Sequence, residues 1–251
     1  MNRKVVIITG GARGIGFGIA RCFAARKTWV VIADLDKNAA VEAAGKLRRE
    51  GAPAACGLEC DIADRKSVEK MVKQTVTRYG QIDVLVNNAG ICPFVDVMDM
   101  EPDVWQKTID VDLTGAFHCT QLAAREMIRQ GQGGSIICIT SLAETYGGPS
   151  QVDYAAAKSG LRMMAVAFCT ALGPHGINVN SVAPGHVCTE MTRHHWEIPK
   201  NAAYARERIP MGRLADPSDI GHACVFLASE EGRYVSGTTL RVDGGFMAIN
   251  K

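Results

Sequence analysis

Several things are scarce in this chain of 251 residues. Aromatic residues make up only 6%, and the formal net charge is +2. There is no excess of one sign such as marks nucleic-acid or membrane-surface binding, so neither partner is expected. The longest uncharged apolar stretch, Met163–Pro174, falls far short of the ~20 residues that span a bilayer. Linkers rich in proline and serine, low-complexity segments and internal repeats are all missing. A secretory signal is not expected either, because the chain enters a strand-like run at Val5–Ile8 with no cleavage site before it. Nine cysteines are present, but none are paired as CxxC and no Cys–His group has zinc-finger spacing. They read as free thiols of a cytoplasmic protein, with no metal site.

What is present is 47% hydrophobic and 22% charged residues with 26 glycines, an ordinary globular balance. Short β-branched runs occur at Val5–Thr9, Thr28–Ala33, Ile82–Asn87, Gly134–Thr140, Ile177–Ala183 and Thr238–Val242, with a weaker one at Ala54–Glu59. They alternate with helical patterns at Gly14–Arg26, Asn38–Glu50, Asp64–Tyr79, Asp103–Arg129, Asp153–Leu172 and Pro217–Ser229. This alternation predicts βαβ units and a parallel sheet of seven strands with helices on both faces. Right-handed crossovers make the sheet doubly wound, an α/β fold in one domain over residues 1–251. One local feature departs from the pattern. The helix end at Ala25-Arg26-Lys27-Thr28 lacks the glycine that most easily takes a left-handed conformation.

The first strand ends in Thr9-Gly10-Gly11-Ala12-Arg13-Gly14-Ile15-Gly16. Glycines at 10, 14 and 16 let backbone approach a pyrophosphate, and the helix that follows offers it free N–H groups and a partial positive charge. The second strand ends at Asp34, 20 positions after Gly14, where an acidic side chain accepts hydrogen bonds from an adenosine ribose. A carboxylate there repels a 2′-phosphate, so NAD is expected over NADP. Arg13, which could pair with such a phosphate, is the one opposing feature.

Together with Asn87-Asn88-Ala89-Gly90, Tyr154-x-x-x-Lys158, Pro184-Gly185 and Val242-Asp243-Gly244-Gly245, this turn resembles the short-chain dehydrogenase/reductase family over essentially the whole chain. The resemblance implies a Rossmann-type fold and nicotinamide-dependent alcohol/carbonyl chemistry. It also implies that Asp61 and Ile62 meet the adenine, that Asn88, Ala89 and Gly90 flank the ribose, and that Val187 and Thr189 hold the carboxamide beside Pro184 and Gly185.

Ser141 closes the fifth strand, Tyr154 follows 13 positions later and Lys158 four beyond that. Positions i and i+4 share a helix face, so Tyr154 and Lys158 project into one cleft. An ordinary phenol is a weak base at neutral pH. An ammonium ~4 Å away favours its phenolate by about 4 kcal/mol at an effective dielectric of ~20. Tyr154 is therefore expected to be the acid/base, with Ser141 donating to the substrate oxygen. The family resemblance calls for an asparagine in a kinked middle helix, holding a water that links the lysine to solvent. Here Asp112 stands in that place, within Ile109–Gly115. An ionised Asp accepts but cannot donate. Three possibilities stay open: it acts through its backbone carbonyl, it bonds directly toward Lys158, or the relay is impaired.

Substrate choice in this fold lies in loops at the carboxyl ends of the strands. A lid is expected at residues 186–210, which include Arg193, His194, His195, Lys200, Arg206 and Arg208 against Glu190, Glu197 and Glu207. Arg193 and one of the paired histidines, His195, are candidate substrate contacts, with Ala143, Glu144, Tyr146 and Gln151 around Ser141. Such polar groups are costly against a wholly apolar substrate, so a sugar, polyol or sugar-derived acid is expected. The helix Asp153–Leu172 is apolar nearly all round, through Leu161, Met163, Met164, Val166, Phe168 and Leu172. It is thus expected to pack on a second subunit in a homodimer or homotetramer. Two alternatives are an NADPH-dependent reductase of small ketones and a non-catalytic NAD-binding regulator.

Overall fold

The first strand is apolar on both sides. In β1 (Val5–Thr9), Val5 and Ile7 enter one core layer while Val6 and Ile8 enter another. A strand covered on both faces reads as a continuous apolar run, and it needs helices above and below. The computed structural model describes residues 4–189 and 196–248. It joins β1 with β2 (Trp29–Asp34), β3 (Ala54–Glu59), β4 (Val84–Asn87), β5 (Gly134–Ile139), β6 (Ile177–Pro184) and β7 (Thr239–Val242). They form one parallel sheet in the order β3-β2-β1-β4-β5-β6-β7. Strand order reverses between β1 and β4, which opens a crevice at their carboxyl ends.

Helices α1 (Gly14–Ala25) and α2 (Lys37–Arg49) cover one face, with a later helix, Pro217–Leu227. The other face carries α3 (Arg65–Tyr79), α5 (Ala116–Gln130) and α6 (Val152–Leu172). Asp36 and Asp64 cap the starts of α2 and α3 by accepting backbone N–H groups. Within the expected lid, Pro199–Arg208 forms a helix, here α7, so Pro217–Leu227 is α8.

The helical pattern over Asp103–Arg129 is broken into α4 (Pro102–Ile109), a π-helical turn at Asp110–Gly115, and α5, where the family resemblance implied a kink. The turn lies against the chain after β3: a Cβ on Gly115 would stand 2.7 Å from Ile62 Cγ1. Insertions of this kind are frequent at functional sites, and this one carries Asp112. The glycine-free end of α1 is closed by Lys27, which adopts φ 60°, while Thr28 Oγ1 donates to the Phe23 carbonyl at 2.8 Å.

All nine cysteines are unbridged. Burial pushes the Cys60 and Cys138 thiols up to about 11, as fits inert packing groups. Among the described residues, no helix is long and apolar enough to cross a membrane.

Candidate active site

At the end of β1 the chain enters α1 through a turn of bare backbone. Gly10 and Gly14 sit at φ 60° and 53°. A Cβ on Gly16 would lie 2.2 Å from the Gly10 carbonyl oxygen, so a side chain there would force the turn apart. Arg13, at the N-cap, makes no side-chain capping bond, and the first turn of α1 holds no acidic residue. Ile15 stands in that turn. The helix start is thus left open to an outside anion, which is what a dinucleotide pyrophosphate requires.

Asn88 pins this turn. Its Nδ2 donates to the carbonyls of Thr9 and Gly10 at 2.9 and 3.0 Å, and Thr9 Oγ1 accepts from the amides of Asn88 and Ala89. Asp34 closes the other side: its carboxylate accepts from the Ala12 amide at 3.1 Å and the Asp36 amide at 3.2 Å. Both oxygens keep capacity for further hydrogen bonds. Asp61 is exposed and accepts from the Ala63 amide. The Ile62 side chain is buried against Gly115. At the end of β6, Pro184 leads into Gly185, whose amide donates to the Val242 carbonyl at 2.9 Å. Val187 is bridged to Ala215, and Thr189 is the nearest side chain to Gly14.

The reacting groups converge beside this turn. Ser141 ends the β5 segment, and its Oγ accepts from the Ala143 amide at 3.2 Å, which leaves its own proton to donate. On α6, Lys158 Nζ lies 5.3 Å from the centre of the Tyr154 ring. The Lys158 side chain is 4% exposed, donates to the Ile139 carbonyl at 3.2 Å, and stands 3.1 Å from Asp112 Oδ2. Of the possibilities left open for Asp112, the structure shows the direct one. The other oxygen, Oδ1, accepts from the Ile91 amide at 2.8 Å. Burial opposes the Lys158 charge, but Asp112 and then Tyr154 outweigh it, and the ammonium is held above its ordinary range.

Two features of this cluster escaped the sequence reading. Gly90 is pressed against the ion pair: a Cβ there would meet Asp112 Oδ2 at 2.6 Å and Lys158 Nζ at 3.1 Å. Asp153, fully buried next to Tyr154, accepts from Thr108 Oγ1 at 2.6 Å and ties α4 to the start of α6. A carboxylate in the first turn of a helix is favourable. The adjacent acidic residue was visible in sequence, but its partner 45 positions away was not.

The expected substrate residues divide. Ala143 is buried, and Gln151 Nε2 donates to Cys92 Sγ at 3.5 Å. The Glu144 side chain is 5% exposed, with Oε1 3.9 Å from Arg162 Nε. Burial raises its carboxyl, against the Thr140 hydroxyl, Arg162 and Arg241. Arg193 and His195 lie outside the described residues.

A phosphate-ready helix start beside a phenol, an ammonium and a serine hydroxyl is the equipment of a dinucleotide-dependent oxidoreductase. Comparison with known proteins narrows the class. A family profile described as "Enoyl-(Acyl carrier protein) reductase" matches residues 10–247, and the chain belongs to the short-chain dehydrogenase/reductase family. It is 40% identical to an L-rhamnose 1-dehydrogenase (NAD(P)(+)) of Azotobacter vinelandii, over 96% of each chain. A galactitol 2-dehydrogenase of Agrobacterium fabrum is 36% identical, over 98% of both. The crystal structure of a gluconate 5-dehydrogenase from Burkholderia cenocepacia, in complex with NADP and tartrate, superposes with a TM-score of 0.92. It is 35% identical, and the match covers 99% of this chain and 97% of that one. The protein is a nicotinamide-dependent oxidoreductase acting on CH–OH groups.

Proposed function

We propose that this protein is an NAD-preferring dehydrogenase that oxidises a secondary hydroxyl of a sugar, polyol or sugar-derived acid to the carbonyl. The observation that carries the reading is the Lys158 ammonium, held by Asp112 beside the Tyr154 ring. A bound nicotinamide supplies the hydride-accepting carbon. The chain supplies the rest. Tyr154, as phenolate, takes the hydroxyl proton, and the Lys158 charge favours that phenolate. Ser141 donates its free proton to the substrate oxygen as negative charge develops there. Gly10, Arg13, Gly14, Ile15 and Gly16 hold the pyrophosphate, while Asp61, Ile62, Asn88, Ala89 and Gly90 border the adenosine half. Pro184, Gly185, Val187 and Thr189 border the nicotinamide half. The choice of NAD rests on the Asp34 carboxylate, which repels a 2′-phosphate.

The substrate class draws on the relatives named above, which act on a deoxy sugar, a hexitol and an aldonate. Residues 186–210 serve as the lid. A second copy covers the apolar outer side of α5 and α6, where Phe117 and Met163 are 37% and 57% exposed, giving a homodimer or homotetramer. The unbridged thiols suit the cytoplasm.

A screen of NAD reduction over sugars, hexitols, aldonates and small alcohols tests the reading. Tyr154→Phe should abolish turnover while NAD binding persists. A Tyr154→Phe enzyme with near-normal turnover would remove Tyr154 from the proton step.

A further inference from the structure

Aromatic rings gather where β5, β6 and β7 end. In a chain with only 6% aromatic residues, that is a local concentration. His186, just past β6, meets Phe246 edge-on at 4.8 Å between ring centres and Trp196 at 5.4 Å. Tyr146, five positions after Ser141, lies 6.4 Å from Phe246. The Arg208 guanidinium stands 5.9 Å from the centre of Phe246 and 6.0 Å from that of Tyr204.

The turn after β7 holds this arrangement. Asp243 accepts from the amides of Gly245 and Met247 at 2.9 and 3.0 Å, which folds Phe246 back over the sheet end. Pro210 packs on Gly245 and Ile209 on Gly244. Tyr146 and Tyr204 are 44% and 47% exposed, and His186, Trp196 and Phe246 are half-buried. The group lies at the carboxyl ends of the strands, where this fold binds its ligands.

The spacing suits a particular ligand. Neighbouring strands stand ~4.8 Å apart. Ser141 follows β5, His186 follows β6 and Phe246 follows β7. The shelf therefore begins about one strand from Ser141 and ends about two strands away, roughly the length of a hexose. Aromatic faces are electron-rich and attract weakly positive C–H groups. A sugar in its ring form presents such groups as a flat, preorganised face, with hydroxyls at its edge. An open-chain polyol has no such face and loses more rotational freedom on binding.

We propose that Tyr146, His186, Trp196 and Phe246 form the specificity surface of the site, and that its substrates are sugars in cyclic form in preference to open-chain polyols. This rests on the dehydrogenase reading above and narrows it. The test is steady-state NAD reduction with L-rhamnose and other aldopyranoses, against galactitol and mannitol, for the parent and for Phe246→Ala, Tyr146→Ala and Phe246→Trp. The parent is expected to favour aldopyranoses at least tenfold in kcat/KM. Each alanine variant should lower that preference tenfold or more, mainly through KM, while the Kd for NAD stays unchanged. Phe246→Trp should restore it. A parent that prefers hexitols, or alanine variants that leave the preference intact, would overturn the shelf. No turnover by the parent on any compound would instead sink the dehydrogenase reading. In that case, calorimetry of L-rhamnose binding to the NAD-saturated protein decides the shelf: binding that Phe246→Ala weakens tenfold supports it, and absent or unaltered binding refutes it.

Discussion

Replacing Asp112 by asparagine removes one charge and almost no volume. In the parent the carboxylate stands 3.1 Å from Lys158 Nζ, with both side chains nearly inaccessible. At that distance unit charges attract by about 5 kcal/mol at an effective dielectric of ~20. The amide keeps some of this through its carbonyl dipole. Removing one partner of a buried pair nevertheless costs about 3–5 kcal/mol, because the remaining charge is left unpaired. In a chain of this size that corresponds to a fall in Tm of roughly 6–20 °C near neutral pH. The pH dependence gives the reasoning its sign. In the parent, Lys158 is held above its ordinary 10.5, so its stabilisation is fully present below that value and is lost only as pH rises through the higher, folded-state one. In Asp112→Asn, burial acts on Lys158 opposed only by Tyr154 and Cys138, and its value is expected to fall below the ordinary one. The folded variant then binds fewer protons than the unfolded chain, and its stability rises with pH toward 10.5 while the parent's stays level. The alkaline limb of kcat/KM should move to lower pH by at least about one unit, or 1.4 kcal/mol. Thermal melts and pH–rate profiles for both proteins test this. Equal melting temperatures with superimposable profiles would refute it and leave Asp112 as packing alone.

Asp34→Ala should lower the NAD-to-NADP ratio of kcat/KM about tenfold or more, equivalent to ~1.4 kcal/mol. An unchanged ratio means that another group sets cofactor choice. Lys27→Gly should raise stability by about 0.5–1 kcal/mol, because a side chain at φ 60° is strained and glycine is not. Denaturant melts check this, and a loss of stability would show that Lys27 makes a contact worth more than its strain.

Much of the cofactor end was legible because it is local. Gly10, Gly14 and Gly16 lie within one turn of seven residues, although their packing partners Asn88, Ala89 and Thr189 come from far along the chain. The place of Asp34 at the end of β2 follows from its spacing, since a strand and a helix have fixed rises per residue. The nearness of Tyr154 and Lys158 follows from one helical turn. The break at Asp110–Gly115 was not read from periodicity; there Gly115 packs on Ile62, 53 positions earlier. The charges that act on Glu144 were hidden in the same way, since Arg162 and Arg241 come from α6 and β7. The aromatic shelf draws on residues 100 positions apart, each ordinary in its own neighbourhood.

The sequence by itself determined the parallel sheet, the glycine turn and the helix face that Tyr154 shares with Lys158. Each is written in periods and spacings that a chain must obey whatever surrounds it. Only the tertiary structure decided what Asp112 does. A carboxylate in a helix accepts from whatever donor packs against it, and folding brings it the Lys158 ammonium and the Ile91 amide, leaving Gly90 just enough room beside them.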